Sequence, residues 1–143
     1  INMGDESFQD GVTVTPSDIY AYVAKTGTLP KTAAPSVGDY LEFFSKLKED
    51  CDEIIHFNIS SEFSSAHQNA LVAAQEIGGV YPIDSRNLST GTGLLVLEAC
   101  EMAQNGMDAD EITLEIDRLI PKVEASLSST GWTTLQKAAA APV

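Results

Sequence analysis

The chain has 143 residues, of which 43% are hydrophobic, and its formal net charge at pH 7 is −13. This length and composition are typical of one globular domain with a buried core and exclude an intrinsically disordered chain. Eight basic residues against 21 acidic ones argue against binding to nucleic acid or to an anionic membrane surface. No apolar stretch is long enough to span a membrane, no basic leader segment is visible, and two widely separated cysteines favour a reducing, cytoplasmic location.

The first half of the chain predicts one strand end followed by two helices. Residues 1–14 are expected to hold the end of a strand, a turn at 4–6 and a short extended piece. Pro16 should begin a short helix that runs to about residue 24 and is closed by Gly27. Ser36 is a typical N-cap for a second helix. The apolar stripe of that helix comprises Tyr40, Leu41, Phe43, Phe44 and Leu47.

The second half alternates strands and helices. Residues 52–59 and 80–83 predict two strands, and Ser64 should cap the helix between them, which ends at 78–79. The inward residues of that helix are Ala70, Leu71, Ala74 and Ile77. Residues 89–93 predict a turn before a helix over 94–105, with Gly106 as its stop. A capping box over 108–111 begins a last helix to about residue 125, bent or ended near Pro121.

This alternation predicts an α/β fold, with a parallel sheet and helices on both of its faces. In such folds ligands bind beyond the carboxyl ends of the strands. Residues 60–64 and 84–89 should lie there.

Two hydroxyl-rich loops, residues 31–36 and 59–68, each open a predicted helix. Free backbone N–H groups, the helix dipole and short hydroxyl donors can hold an anionic headgroup there without a metal. The candidate donors are Thr32, Ser60, Ser61, Ser64 and Ser65. Two plainer interpretations stay open: Ser36 and Ser64 are ordinary helix caps, and Ser60 and Ser61 merely end a strand.

Four segments in order, residues 1–12, 29–36, 59–64 and 84–96, resemble the DegV family of bacterial fatty-acid-binding proteins. The resemblance covers roughly residues 1–125 and implies a Rossmann-like first domain. It also implies a non-enzymatic, two-domain carrier without a cofactor or metal, whose first domain holds the carboxylate of one long-chain fatty acid. By motif position, the headgroup Thr and Ser of the family map to Thr32 and Ser64. The partner implied is a fatty acid kinase subunit that phosphorylates the bound fatty acid for phospholipid synthesis.

The chain departs from the family pattern at several points. Its first strand and a second domain after residue 125 are expected to be missing, and Ala33 and Ala34 replace two polar residues. Residues 126–143 form an irregular tail without a strand or helix pattern. We hypothesise that the tail is a frameshift or truncation product of a longer gene, which sequencing of the encoding DNA would decide. A second interpretation that these departures leave open is that the chain is an inert fragment that binds no fatty acid.

Other patterns point to chemistry less strongly. Ser64 and His67 suggest a small serine hydrolase, but no orienting acid or nucleophile elbow accompanies them. His56 alternates with apolar residues and fits a packed or edge histidine. Gly91 and Gly93 resemble part of a dinucleotide loop but fit close helix–strand packing better. The acidic residues over 108–111 suit a helix N-terminus rather than a metal. The expected aromatic core is Phe8, Tyr40, Phe43, Phe44 and Phe57.

Overall fold

The computed structural model describes residues 1–126, which form two compact units, residues 1–34 and residues 35–126. Apart from residue 126, the predicted tail and the frameshift hypothesis lie outside the described residues. No helix of the described part is both long and apolar enough to cross a membrane.

The first unit contains a short hairpin and one helix. Strands β1 (Asn2–Met3) and β2 (Glu6–Ser7) pair antiparallel around a turn in which Gly4 has a φ of 65°. Helix α1 (Pro16–Thr26) begins at the N-cap Thr15 and is closed by Gly27 in the left-handed conformation. The predicted turn, the helix start and the glycine stop are therefore confirmed, although the helix runs two residues further than residue 24.

The second unit alternates strands and helices as predicted. Its elements are α2 (Val37–Leu47), β3 (Ile54–Asn58), α3 (Ala66–Ile77), β4 (Val80–Asp84), α4 (Ser89–Gln104) and α5 (Ala109–Leu119), followed by a 3₁₀ turn (Ile120–Lys122). Ser36 and Asp108 cap α2 and α5 through complete capping boxes, with Asp39 and Glu111 at the third helical positions. Both predicted caps are confirmed. Helix α5 ends before Pro121, and the region to residue 125 does not continue it.

Strands β3 and β4 are parallel neighbours, with Ile54 opposite Val80 and Asn58 opposite Asp84. Successive side chains of a strand point to opposite faces, so each face needs its own cover. Helices α2 and α3 cover one face, whose buried core is Tyr40, Phe44, Ile54, Ala70, Ala73, Ala74 and Val80. Helices α4 and α5 cover the other, whose buried core is Ile83, Leu95, Ala99, Ile112 and Ile116. The predicted α/β fold is confirmed.

The apolar stripe of α2 is narrower than predicted. Tyr40 and Phe44 are buried, but Phe43 is 48% exposed and Leu47 is 36% exposed. Residues 40 and 44 lie one turn apart and share the face toward the sheet, whereas Phe43 and Leu47 flank that face. Phe43 therefore does not belong to the core, and the prediction for it is wrong.

The predicted turn at residues 89–93 is helical instead, because α4 begins at Ser89. Gly91 lies in its first turn and is buried against Asn87: a Cβ built on Gly91 would lie 2.6 Å from Asn87 Cγ and 2.8 Å from Asn87 Cβ. The close approach predicted for Gly91 exists, although with a loop side chain rather than a strand. A Cβ on Gly93 would meet nothing within 4 Å, so that prediction is wrong for Gly93.

We expect alanine at Gly91 and at Gly93 to change the free energy of unfolding in opposite directions. Gly93→Ala should stabilise the chain by about 0.5–1 kcal/mol, because alanine is the better helix former and nothing obstructs its methyl group. Gly91→Ala should destabilise it by about 1–3 kcal/mol, because the methyl group must displace Asn87. Urea unfolding of both variants measures this. Stabilisation by both substitutions would show that Asn87 yields without cost.

Candidate functional site

The loops that follow β3 and β4 lie side by side at the carboxyl ends of the two strands. The Ser85 N–H donates to the Asn58 carbonyl at 3.1 Å, and the Ser60 N–H donates to the Asn87 carbonyl at 2.9 Å. These bonds extend the contact between the strands into the loops. The structure thus brings together the two segments that the sequence predicted at this edge.

Neither Ser60 nor Ser61 offers an accessible free hydroxyl donor. Ser60 Oγ accepts from the Glu62 N–H at 3.3 Å and its hydroxyl hydrogen has no acceptor among residues 1–126, but the residue is only 2% exposed. Ser61 donates twice to the Asp84 carboxylate, from its N–H at 3.1 Å and from its Oγ at 2.6 Å. Both donors of Ser61 are therefore used before any ligand arrives.

Ser64 keeps a donor free. Its Oγ accepts from the Ala66 N–H at 3.1 Å, and its hydroxyl hydrogen has no acceptor among residues 1–126. The N-cap of α3 by position is Ser65, one residue later than predicted, and the Ser65 side chain makes no capping bond. The prediction is therefore off by one residue, although Ser64 still accepts a hydrogen bond from the first amide of the helix.

Backbone donors are also free at this helix start. Within the described residues, no acceptor is found for the N–H groups of Ser64, Ser65, His67 and Gln68. Unpaired amides at the N-terminus of a helix carry partial positive charge and bind anions. Together with the Ser64 hydroxyl they form a set of donors without a cation.

The earlier hydroxyl-rich loop divides between the two units. Thr32 is exposed in the first unit, directly after Lys31, which pairs with Asn2 through two backbone hydrogen bonds of 2.7 and 3.0 Å. In the second unit, the Asn69 side chain donates to the Pro35 carbonyl at 2.7 Å, which holds the start of α3 beside the residue that precedes Ser36. The Ser36 hydroxyl itself serves the capping box of α2.

Asp84 is a charged group that is hydrogen-bonded to the loop carrying these donors. Burial, the largest single influence, raises the pKa of Asp84, but hydrogen bonds from Ser61 and Arg86 and attraction to His67 outweigh it. The pKa of Asp84 is therefore held below its ordinary value, and the carboxylate is ionised at neutral pH.

A polar cluster lies among the aromatic residues on the α2 and α3 side of the sheet. The Asn58 side-chain amide donates to the Tyr40 hydroxyl at 2.9 Å and lies 3.2 Å from His56 Nε2. The His56 ring meets Phe44 edge-on, with ring centroids 5.1 Å apart. His56 is therefore a packed histidine, as the sequence predicted. Two buried atoms, Asn58 Oδ1 and His67 Nδ1, have no hydrogen-bond partner among the described residues.

We expect the free energy of unfolding to fall as the pH is lowered below about 6.5. Burial, and then repulsion from His67, hold the pKa of His56 below its ordinary value of 6.5. Below pH 6.5, His56 of the unfolded chain binds a proton that His56 of the folded chain does not bind. The contribution of neutral His56 to the free energy of unfolding is therefore complete above pH 6.5 and is lost as the pH falls below it. His56→Phe, which keeps an aromatic ring against Phe44, should flatten the dependence between pH 7.5 and 5.5. Equal slopes by urea unfolding would contradict this assignment.

Apolar groups flank the free donors. On the loop that carries Ser64, Ile59 is 40% exposed and Phe63 is 67% exposed. Beside Ser61 and His67 lies a groove of about 900 Å³, whose apolar lining comprises Leu71, Pro82, Ile83, Ile120, Pro121 and Val123. Donors and exposed apolar side chains on one loop suit a ligand with a polar head and an apolar tail.

The hydrogen bonds of Ser64 and His67 also test the interpretation that the chain is a serine hydrolase. Among residues 1–126, no hydrogen bond joins the Ser64 hydroxyl to His67, and no acid orients the His67 ring. A nucleophilic serine needs a base within hydrogen-bond reach and a third group to orient that base. The described residues do not supply this arrangement, and an esterase assay would test the interpretation directly.

Sequence reasoning passed over Asp84 and Asn87 as members of this site. Each reaches across to a loop more than 20 residues away, through Ser61 and Ser60 respectively. The available signal was their position directly at the end of a predicted strand, where parallel sheets gather polar side chains.

Comparison with known proteins identifies the family to which the chain is similar. A family profile described as "Uncharacterised protein, DegV family" matches residues 1–139. The chain is 31% identical over 125 residues to a DegV domain-containing protein of Caldanaerobacter subterraneus, covering 86% of this chain and 44% of that protein. It is 31% identical over 118 residues to one of Clostridium perfringens, covering 81% and 42%. The chain thus spans less than half the length of these curated relatives.

Solved structures agree with the sequence comparisons. A structure from Thermus thermophilus, described as fatty acid binding of a DegV family protein, matches with a TM-score of 0.74 and 30% identity, covering 84% of this chain and 43% of that one. A Thermotoga maritima protein, described as revealing a fatty acid binding function, matches with a TM-score of 0.67 and 30% identity, covering 75% and 41%. With four ordered motifs, the α/β fold and a matching family profile, the chain belongs to the DegV family.

Proposed function

We propose that this chain binds one long-chain fatty acid through its carboxylate, at the loop between β3 and α3, and acts as a carrier rather than an enzyme. The observation that carries the proposal is the set of free donors at the start of α3, the Ser64 hydroxyl and the amides of residues 64, 65, 67 and 68. A carboxylate that accepts several hydrogen bonds keeps its charge without a counter-ion. Thr32 is assigned to the same headgroup on family resemblance.

Similarity to proteins described as fatty-acid-binding supports this ligand class. The exposed Ile59 and Phe63 offer apolar surface on the same loop, where a methylene chain gains about 0.8 kcal/mol per buried CH₂. We further propose that the complete protein presents the fatty acid to a fatty acid kinase in the cytoplasm. Transfer of a phosphoryl group to the carboxylate would then be chemistry of the partner, with the carrier supplying orientation.

Mass spectrometry of an organic extract from the purified chain, together with its native mass, tests the proposal. We expect one fatty acid per chain, or per dimer if two copies cover the acyl chain. A purified chain that is empty and stays empty when offered oleate would contradict fatty-acid binding by these residues. The kinase partnership has a separate test, in which purified kinase and ATP convert the carrier-bound fatty acid to its acyl phosphate.

A further inference from the structure

Asp84 joins the two loops of the candidate site through three donors. Its Oδ1 accepts from the N–H groups of Ser61 at 3.1 Å and Arg86 at 3.0 Å, and its Oδ2 accepts from the Ser61 hydroxyl at 2.6 Å. Hydrogen bonds to an ionised acceptor are shorter and stronger than neutral ones. Asp84 ends β4, so it is held by the sheet and can fix a loop that is not part of the sheet.

The bond to Asp84 restrains the path of the chain toward Ser64. Ser61 is tied to Asp84, and Ser60 is tied to Asn87 through its N–H at 2.9 Å. The next turn closes when the Phe63 N–H donates to the Ser60 carbonyl at 3.0 Å. The direction of the Ser64 hydroxyl and of the following free amides therefore depends on two anchors, of which Asp84 supplies the charged one.

We propose that Asp84 and Ser61 are positioning residues that give the loop between β3 and α3 its selectivity for a carboxylate over a neutral headgroup. The inference rests on the proposed function. It assigns Ser61 to holding the loop rather than to donating to the ligand, because both Ser61 donors are used on Asp84. A carboxylate needs several donors converging on two oxygens, whereas an alcohol needs one, so loosening the loop costs the carboxylate more.

The test compares the dissociation constants of myristic acid and 1-tetradecanol, which share a fourteen-carbon chain. The variants are Asp84→Asn, Ser61→Ala, their combination and Ser61→Thr. Asp50→Asn is the matched control, because Asp50 is an exposed aspartate of the same unit that does not line the groove and whose carboxylate has no hydrogen bond within residues 1–126. A fluorescent fatty acid displaced by each ligand gives the constants, and urea unfolding confirms that each variant is folded.

We expect Asp84→Asn and Ser61→Ala each to lower the preference for the acid by roughly 5-fold to 20-fold, less than the full loss of one charge-assisted hydrogen bond, because the donors to the ligand remain and only their positions loosen. The combination should lose no more than the larger single loss, because both changes break the same contact. Ser61→Thr, which keeps the hydroxyl, and Asp50→Asn should keep the wild-type preference. Ser61 is exposed, so Ser61→Ala and Ser61→Thr suffice if Asp84→Asn does not fold.

The outcomes separate the two proposals. A wild-type chain that binds neither ligand overturns the proposed function and this inference with it. A wild-type chain that prefers the acid, together with variants that keep this preference, overturns the positioning role alone. Equal loss of affinity for the acid and the alcohol would show that the Asp84–Ser61 contact supports the fold without selecting the headgroup, which also overturns it.

Discussion

Replacing Phe44 by alanine should lower the free energy of unfolding by about 3–5 kcal/mol, the range for a large aromatic side chain removed from a packed core. Phe44 has no exposed surface and packs between α2 and the sheet, with its ring 5.4 Å from Tyr40 and 5.1 Å from His56 between centroids. Removing the ring leaves a cavity and also strips the apolar cover from the His56 and Asn58 cluster. A loss of this size is a large fraction of the stability of an ordinary domain.

Phe43 is the matched control for this prediction. It is the preceding residue of the same helix and has the same side chain, but it is 48% exposed. Phe43→Ala should cost less than about 1 kcal/mol, as most surface substitutions do. Urea unfolding of both variants at one pH gives the comparison. Similar losses at the two positions would mean that α2 meets the sheet through a different face.

The sequence predicted the elements whose signals are local. Capping boxes are four-residue patterns, and Ser36 and Asp108 begin α2 and α5 as that pattern requires. Gly27 closes α1 because a left-handed residue there costs glycine no steric penalty. The alternation of strands and helices was sufficient to predict a parallel pair covered on both faces.

The predictions that failed concern features that depend on contacts between residues distant in sequence. Residues 89–93 contain two glycines and read as a turn, yet they form the first turn of α4, because Gly91 has no side chain to collide with Asn87. Phe43 and Phe44 are identical in pattern and differ only in which way the helix faces the sheet. Tertiary packing determines both the start of α4 and the exposure of Phe43, and it overrides local propensity.

The residues of the candidate site also divide into those with a local sequence signal and those defined by contacts distant in sequence. Ser64 could be selected from its loop and from family resemblance, because a short hydroxyl before a helix is a local pattern. The bond between Ser61 and Asp84 spans 23 residues and depends on the register of β3 against β4. No spacing in the sequence reports that register, so Ser61 stayed among the candidate donors beside Ser64. The structure distinguishes them by what each hydroxyl already binds.

Ser64→Ala should weaken fatty-acid binding by about 1–3 kcal/mol, which is roughly a 5-fold to 150-fold rise in the dissociation constant. The change removes the hydroxyl that the described residues leave free to donate, and it removes the Oγ that accepts from the Ala66 N–H at 3.1 Å. Loss of the second bond resembles loss of a helix cap and lowers stability by about 0.5–2 kcal/mol. Displacement of a fluorescent fatty acid measures binding, and urea unfolding measures stability independently.

Ser64→Thr is the control for Ser64→Ala. It keeps the hydroxyl that accepts from the Ala66 N–H, so it should change affinity by less than about 0.5 kcal/mol. The combined Ser64→Ala and Thr32→Val variant tests the whole headgroup assignment, because it removes both hydroxyls that family resemblance places at the carboxylate. We expect it to bind more weakly than Ser64→Ala alone. Undiminished binding by the combined variant would show that the Ser64 and Thr32 hydroxyls do not hold the carboxylate and that the headgroup assignment is wrong.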